Sequence, residues 1–108
     1  MTRPLLELQV LIALASLGDD AYGVSVQEEI KARTGRSASV AACYAALERL
    51  ARMKLAEVWY SPVRQERGGR ARRQYRLTAA GREALRQERE AAHRLWRGIP
   101  QRIGERSR

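Results

Sequence analysis

Arg64, Arg67, Arg70, Arg72 and Arg73 put five guanidinium groups within ten residues, with Glu66 the one carboxylate among them. Each guanidinium presents a planar fork that matches a pair of phosphate oxygens, and the group repels its neighbours until an anion arrives. Polyanion binding is the chemistry such a run suits. A solvated charged hairpin is the plainer alternative, but it leaves the repulsion uncompensated.

A second stretch, Ser39 to Met53, could act with it. Val40, Tyr44, Leu47, Leu50 and Met53 recur at spacings of four and three, which predicts an α-helix with these residues inward and Ser39 as its N-cap. The other face would carry Ser39, Ala42, Cys43, Ala46 and Arg49, with Arg52 and Lys54 behind. A small front turn lets a helix approach another surface closely, and cations behind it can hold phosphates. Arg49 has two readings, a contact to phosphate or guanine and a charge solvating the helix end. Cys43 is either a small groove-facing residue or a redox-sensitive thiol without a resolving partner. Tyr22 and Tyr44 could donate hydroxyls to phosphates, though both also fall on apolar stripes.

Nothing else in the chain assembles a reactive centre. There is no nucleophile beside a base, no carboxylate dyad and no phosphate-loop glycine motif, and Gly68-Gly69 reads as a turn. His93 has no neighbouring ligands for a metal. The sequence therefore reads as a binding protein without a cofactor or metal, not as an enzyme.

The elements that would hold the two stretches follow from punctuation and period. Leu5 to Leu17 lies between Pro4 and Gly18 and is apolar around most of its circumference, so it must be buried on two faces, either by the core and a second chain or as a fully central helix within one chain. Asp20 is the expected cap of a helix from about Tyr22 to Thr34, with Tyr22, Val26 and Ile30 inward, Glu28 and Glu29 in solvent and Gly35 as its stop. Arg36, Ser37 and Ala38 connect it to the Ser39–Met53 helix, a helix-turn-helix spacing. Ala56 to Ser61 and Arg72 to Leu77 alternate as strands on either side of the arginine loop, with Tyr75 and Leu77 on one face and Trp59 and Tyr60 packing the hairpin's base. Thr78 caps a last helix whose apolar positions, including Ala84, Leu85, Ala91, Ala92, Leu95 and Trp96, suit pairing with the first helix of another subunit. Gly98 and Pro100 end it.

The expected fold class is α+β and mostly helical, a winged helix-turn-helix over residues 1–78, a dimerisation helix over 79–99 and a basic tail over 100–108. The net charge of +9 belongs to one part of the chain. Residues 1–61 carry seven Lys/Arg against seven Asp/Glu, residues 62–76 six against one, and residues 77–108 eight against four. GC-rich coding would favour Arg over Lys, yet it does not produce a neutral first half. One cysteine excludes an internal disulfide, and neither a membrane span nor a leader is visible, so a cytoplasmic protein is expected.

These residues resemble the PadR family of bacterial transcriptional regulators in its short form. The matching pieces are Leu-x-x-Leu-Ala-x-Leu-Gly at 11–18, Tyr22-Gly23, Tyr44-x-x-Leu-x-x-Leu, Leu55 and Trp59, then Arg72-Arg73-x-Tyr75-x-Leu77-Thr78-x-x-Gly81 and Ala84-Leu85, spanning about residues 5–85. Ala41 and Ala42 stand where the family usually has Gly-Thr, and Lys54 where it has Gly before the wing strand. The resemblance implies a homodimeric repressor on near-palindromic double-stranded operator DNA, released by a small aromatic or planar inducer. The DNA candidates are Tyr22, Ser37, Ser39, Ala42, Cys43, Tyr44, Arg49, Arg64, Arg67, Arg70, Arg72 and Arg73. The dimer and ligand candidates are Leu8, Leu11, Ile12, Ala92, Leu95 and Trp96, with Trp96 either stacking on a flat ligand or plugging the seam. Two other classes stay open: a non-specific nucleoid or RNA coat, which would bind with a steep salt slope and no sequence preference, and a winged helix that binds a protein, which would tolerate loss of the wing arginines.

Overall fold

Pro4 and Gly18 bracket the first helix as their conformational limits require. In the computed structural model, which describes residues 3–62 and 71–101, α1 runs Leu5–Leu17. It is followed by α2 (Gly23–Thr34), α3 (Val40–Arg52), β1 (Ala56–Tyr60), β2 (Arg73–Leu77) and α4 (Ala79–Trp96). The strands form an antiparallel ribbon with Ala56 opposite Leu77 and Tyr60 opposite Arg73. Tyr75 also donates its N–H to the Ala21 carbonyl at 2.9 Å, which ties β2 to the α1–α2 turn. This is the winged-helix plan, mostly helical, with the arginine loop between β1 and β2. Arg64, Arg67 and Arg70 lie outside the described residues, as does residues 102–108 of the expected basic tail.

The cap of α2 differs from expectation. Tyr22, not Asp20, is the N-cap. The Ser25 hydroxyl accepts from the Tyr22 N–H at 2.9 Å and donates to the Asp20 carbonyl at 2.7 Å, so a serine three residues into the helix does what the Asp20 carboxylate was expected to do. Ser39 and Thr78 cap as their types predict, accepting from the N–H groups of Ala42 at 3.1 Å and Gly81 at 3.0 Å.

The core joins Val10, Leu11, Ala13 and Leu14 of α1 to Val26 and Ile30 of α2, then to Cys43, Ala46, Leu47 and Leu50 of α3 and to Ala56 and Tyr75 of the ribbon. Full burial of each leucine contributes roughly 1.5–3 kcal/mol. Two expectations fail here. Leu11, expected to face a partner, has no exposed surface and belongs to its own subunit's core. In α3 the inward face is rotated: Cys43 and Ala46 are fully buried, whereas Val40 and Tyr44 keep 37% and 38% of their surface exposed. The reason is steric. Small residues let α3 approach the other helices closely, and the Tyr44 ring is instead taken up where α2 has no side chain, 3.1 Å from where a Gly23 Cβ would stand.

The root of α4 is fixed to the chain between α3 and β1. Thr78 donates its N–H to the Leu55 carbonyl at 3.1 Å and its hydroxyl to the Lys54 carbonyl at 2.7 Å. A Cβ on Gly81 would fall 2.0 Å from the Leu55 carbonyl oxygen, so this crossing admits only glycine. From Arg89 to its end every residue of α4 is exposed, and Arg86 supports the helix locally by pairing at 2.5 Å with both Glu83 and Glu90.

Candidate nucleic-acid interface

With Cys43, Ala46, Leu47 and Leu50 turned inward, the outward line of α3 is Ala41, Ala45, Glu48 and Arg52, at spacings of four, three and four. Ser39 and Ala41 are exposed at its first turn, Ala42 is half-buried, and Val40 and Tyr44 flank the line on the α2 side. Cys43 lies beneath this surface, so the groove-facing role expected of it is corrected. Burial pushes its thiol above the ordinary value, against the redox role as well. Ser37 is half-buried, with its hydroxyl 4.0 Å from the Cys43 sulfur.

Arg49 is engaged elsewhere. Its Nε lies 2.9 Å from an oxygen of Glu7, a carboxylate of α1 with only 9% of its side chain exposed. A buried carboxylate is tolerable only when paired, so this cation serves α1–α3 packing before it serves any ligand. The cation at position 49 is thus shared: Glu7 takes its Nε, while 42% of the side chain stays exposed.

The wing is clamped to α3 through Arg73. Its Nη2 is 2.9 Å from Glu48 Oε2, its Nη1 donates to the Tyr60 hydroxyl at 2.8 Å, and the buried Tyr75 hydroxyl donates to the same Glu48 oxygen. The Tyr75 hydrogen bond first, and Arg73 with it, holds the Glu48 carboxyl below its usual range. Burial, with Glu48 beside it, raises Tyr75. Arg72, the residue just before β2, holds its guanidinium 4.0 Å above the Tyr22 ring at the start of α2. It remains exposed, and its N–H donates to the Ser61 hydroxyl at 3.1 Å. Two adjacent arginines thus bind the wing to α2 and α3 and keep all three on one side of the molecule.

Of the residues expected to meet DNA, Ser39, Ala42, Tyr44, Tyr22 and Arg72 share this side. Arg73 shares it too, but as a brace and not a free cation. Glu48, Tyr60, Tyr75 and Glu7 were missed. Each gains its role from a partner 13 to 42 residues away, which no local spacing reports.

A groove of about 490 Å³ lies between α1 and α4, lined by Leu8, Ile12, Ala15, Leu85 and Ala92 together with Arg82, Arg86, Glu88 and Arg89. Leu95, Trp96 and Ile99 continue the apolar strip with 78%, 53% and 49% of their surface exposed.

Residues 10–87 match the model of the transcriptional regulator PadR-like family. The chain belongs to that family. Among solved structures, the PadR-like chain is similar to a PadR family transcription regulator from Clostridium difficile at 26% identity, covering 89% of this chain and 91% of that one with a TM-score of 0.66. Two further structures share the fold at 21% identity. One is a transcriptional regulator from Clostridium thermocellum, covering 90% of this chain and 91% of that one at a TM-score of 0.68. The other is a PadR-like transcriptional regulator from Bacillus cereus, covering 86% and 92% at 0.65. No curated protein matches significantly. A PadR-like chain is a transcription regulator built on a winged-helix DNA-binding fold, and not an enzyme. No helix among its described residues is long and apolar enough to cross a membrane.

Proposed function

We propose that this PadR-like regulator is a homodimeric repressor of the bacterial cytoplasm that binds a near-palindromic operator in double-stranded DNA. Its two α3 helices enter successive major grooves about 34 Å apart, and the wings hold the flanking phosphates through Arg72 and the loop arginines Arg64, Arg67 and Arg70. The observation that carries this reading is the double tether of the wing, Arg73 to Glu48 and Arg72 over Tyr22, which aims α3 and the wing at one surface.

The dimer forms through residues 79–99 of α4 and its continuation, packed against α1 of the second subunit. The groove at Leu8, Ile12 and Ala92 and the exposed Leu95 and Trp96 support this, since a strip so apolar is costly to leave in water. A small aromatic or planar ligand between the two Trp96 rings changes the spacing of the α3 helices and releases DNA, a population shift between two dimer geometries.

Footprinting on the DNA upstream of the protein's own gene tests the reading. A protected two-fold site bound about 10³-fold or more above bulk DNA is expected. Featureless protection with a steep salt slope would replace the repressor by a non-specific coat.

A further inference from the structure

The exposed face of α3 has an unusual chemistry for a helix meant to read bases. Over its first two turns the residues turned outward are Val40, Ala41, Tyr44 and Ala45, with Ala42 half-buried. The polar groups nearby are already committed: the Ser39 hydroxyl accepts from the Ala42 N–H, Glu48 is held by Arg73 and Tyr75, and Arg49 by Glu7. No Arg, Lys, Asn or Gln occupies positions 39–48, so the bidentate pairs that read guanine and adenine cannot form there. What the face offers a base edge is methyl groups, one aromatic edge and one phenol hydroxyl.

The major-groove feature complementary to a methyl surface is the 5-methyl of thymine. Resting on the proposed DNA-binding role, we infer that α3 selects its operator by apolar contact of Val40, Ala41 and Ala45 with thymine methyl groups. Phosphate contacts by Arg72 and Arg52, exposed at the far end of α3, set the register.

The test changes the DNA and leaves the protein intact. A bound site is selected from a pool of randomised duplexes, and each thymine in it is replaced singly by deoxyuridine, which lacks only the 5-methyl. A loss of about fourfold per methyl is expected, confined to symmetry-related thymines facing α3. The Ala45→Gly variant should lose the thymine-over-uracil preference at one of those positions and bind the unmodified site about fourfold more weakly, with the preference at the other thymines unchanged. A discrete site that tolerates uracil throughout, but weakens with 7-deazaguanine, overturns this inference and leaves the repressor reading standing. Failure to select any discrete site overturns both.

Discussion

Arg73 and Glu48 join β2 to α3 across 25 residues of chain, with the two Arg73 amino groups and its Nε all within 3.2 Å of the carboxylate or of the tyrosines around it. Among the described residues the ribbon has no third strand beside it, so this contact positions the wing together with the Arg72–Tyr22 stack and the Tyr75–Ala21 hydrogen bond. Glu48→Ala leaves Arg73 unpaired and the buried Tyr75 hydroxyl without its acceptor. A loss of about 1–3 kcal/mol is expected in urea unfolding. DNA binding by the folded variant should weaken further than by Glu57→Ala, which breaks the exposed Arg76 pair on the outer face of the ribbon.

The same carboxylate gives a pH signature. The folded state holds Glu48 below its ordinary value of 4.5, so its stabilisation is complete above that value and is lost as pH falls through the folded value. Unfolding of the native protein and Glu48→Gln should therefore differ most at neutral pH and converge in acid. A difference that grew on acidification would contradict the assigned sign.

Lys54 has φ of 65°, in the left-handed region, just where it closes α3 and turns into β1. A side chain there costs about 1–2 kcal/mol, and glycine avoids it at an entropic cost of about 0.5–1 kcal/mol. Lys54→Gly should raise stability by roughly 0.5–1 kcal/mol, read as a higher urea midpoint at unchanged slope.

Ile12 and Leu95 lie on the apolar strip proposed as the subunit interface. Ile12→Glu and Leu95→Glu should give folded monomers by sedimentation equilibrium, with unaltered helical circular dichroism. Operator affinity should fall by about 10²-fold or more, because two half-sites are then bound independently. Wild-type protein that sediments as a monomer at micromolar concentration would refute the dimer directly.

Cys43 is sealed under α3, and its thiol is the harder to ionise for it. Alkylation by iodoacetamide should be slower by about tenfold or more in the folded protein than in urea, and mild oxidant should leave DNA binding unchanged.

Helix limits were legible where a residue type admits few conformations. Pro4, Gly18, Gly35, Ser39 and Thr78 each mark an end, and α1 has the bounds its sequence predicts. The inward face of α3 was not. Leu47 and Leu50 fit two rotations of the helix equally well, and Val40 and Tyr44 then outweigh Cys43 and Ala46 on hydropathy alone. Packing decides otherwise, because close approach rewards small side chains whatever their hydropathy. For the same reason the site was readable as a region but not residue by residue: Arg49 and Arg73 look like free cations until Glu7 and Glu48 are folded beside them.

The weld between Thr78, Gly81 and the Lys54-Leu55 turn acts as a goniometer for everything downstream. Eighteen residues of α4 extend about 27 Å from that joint, so a tilt of about 10° at its root sweeps the Trp96 end through about 5 Å. Aim at the far tip is thus decided by two carbonyl groups and a missing methyl.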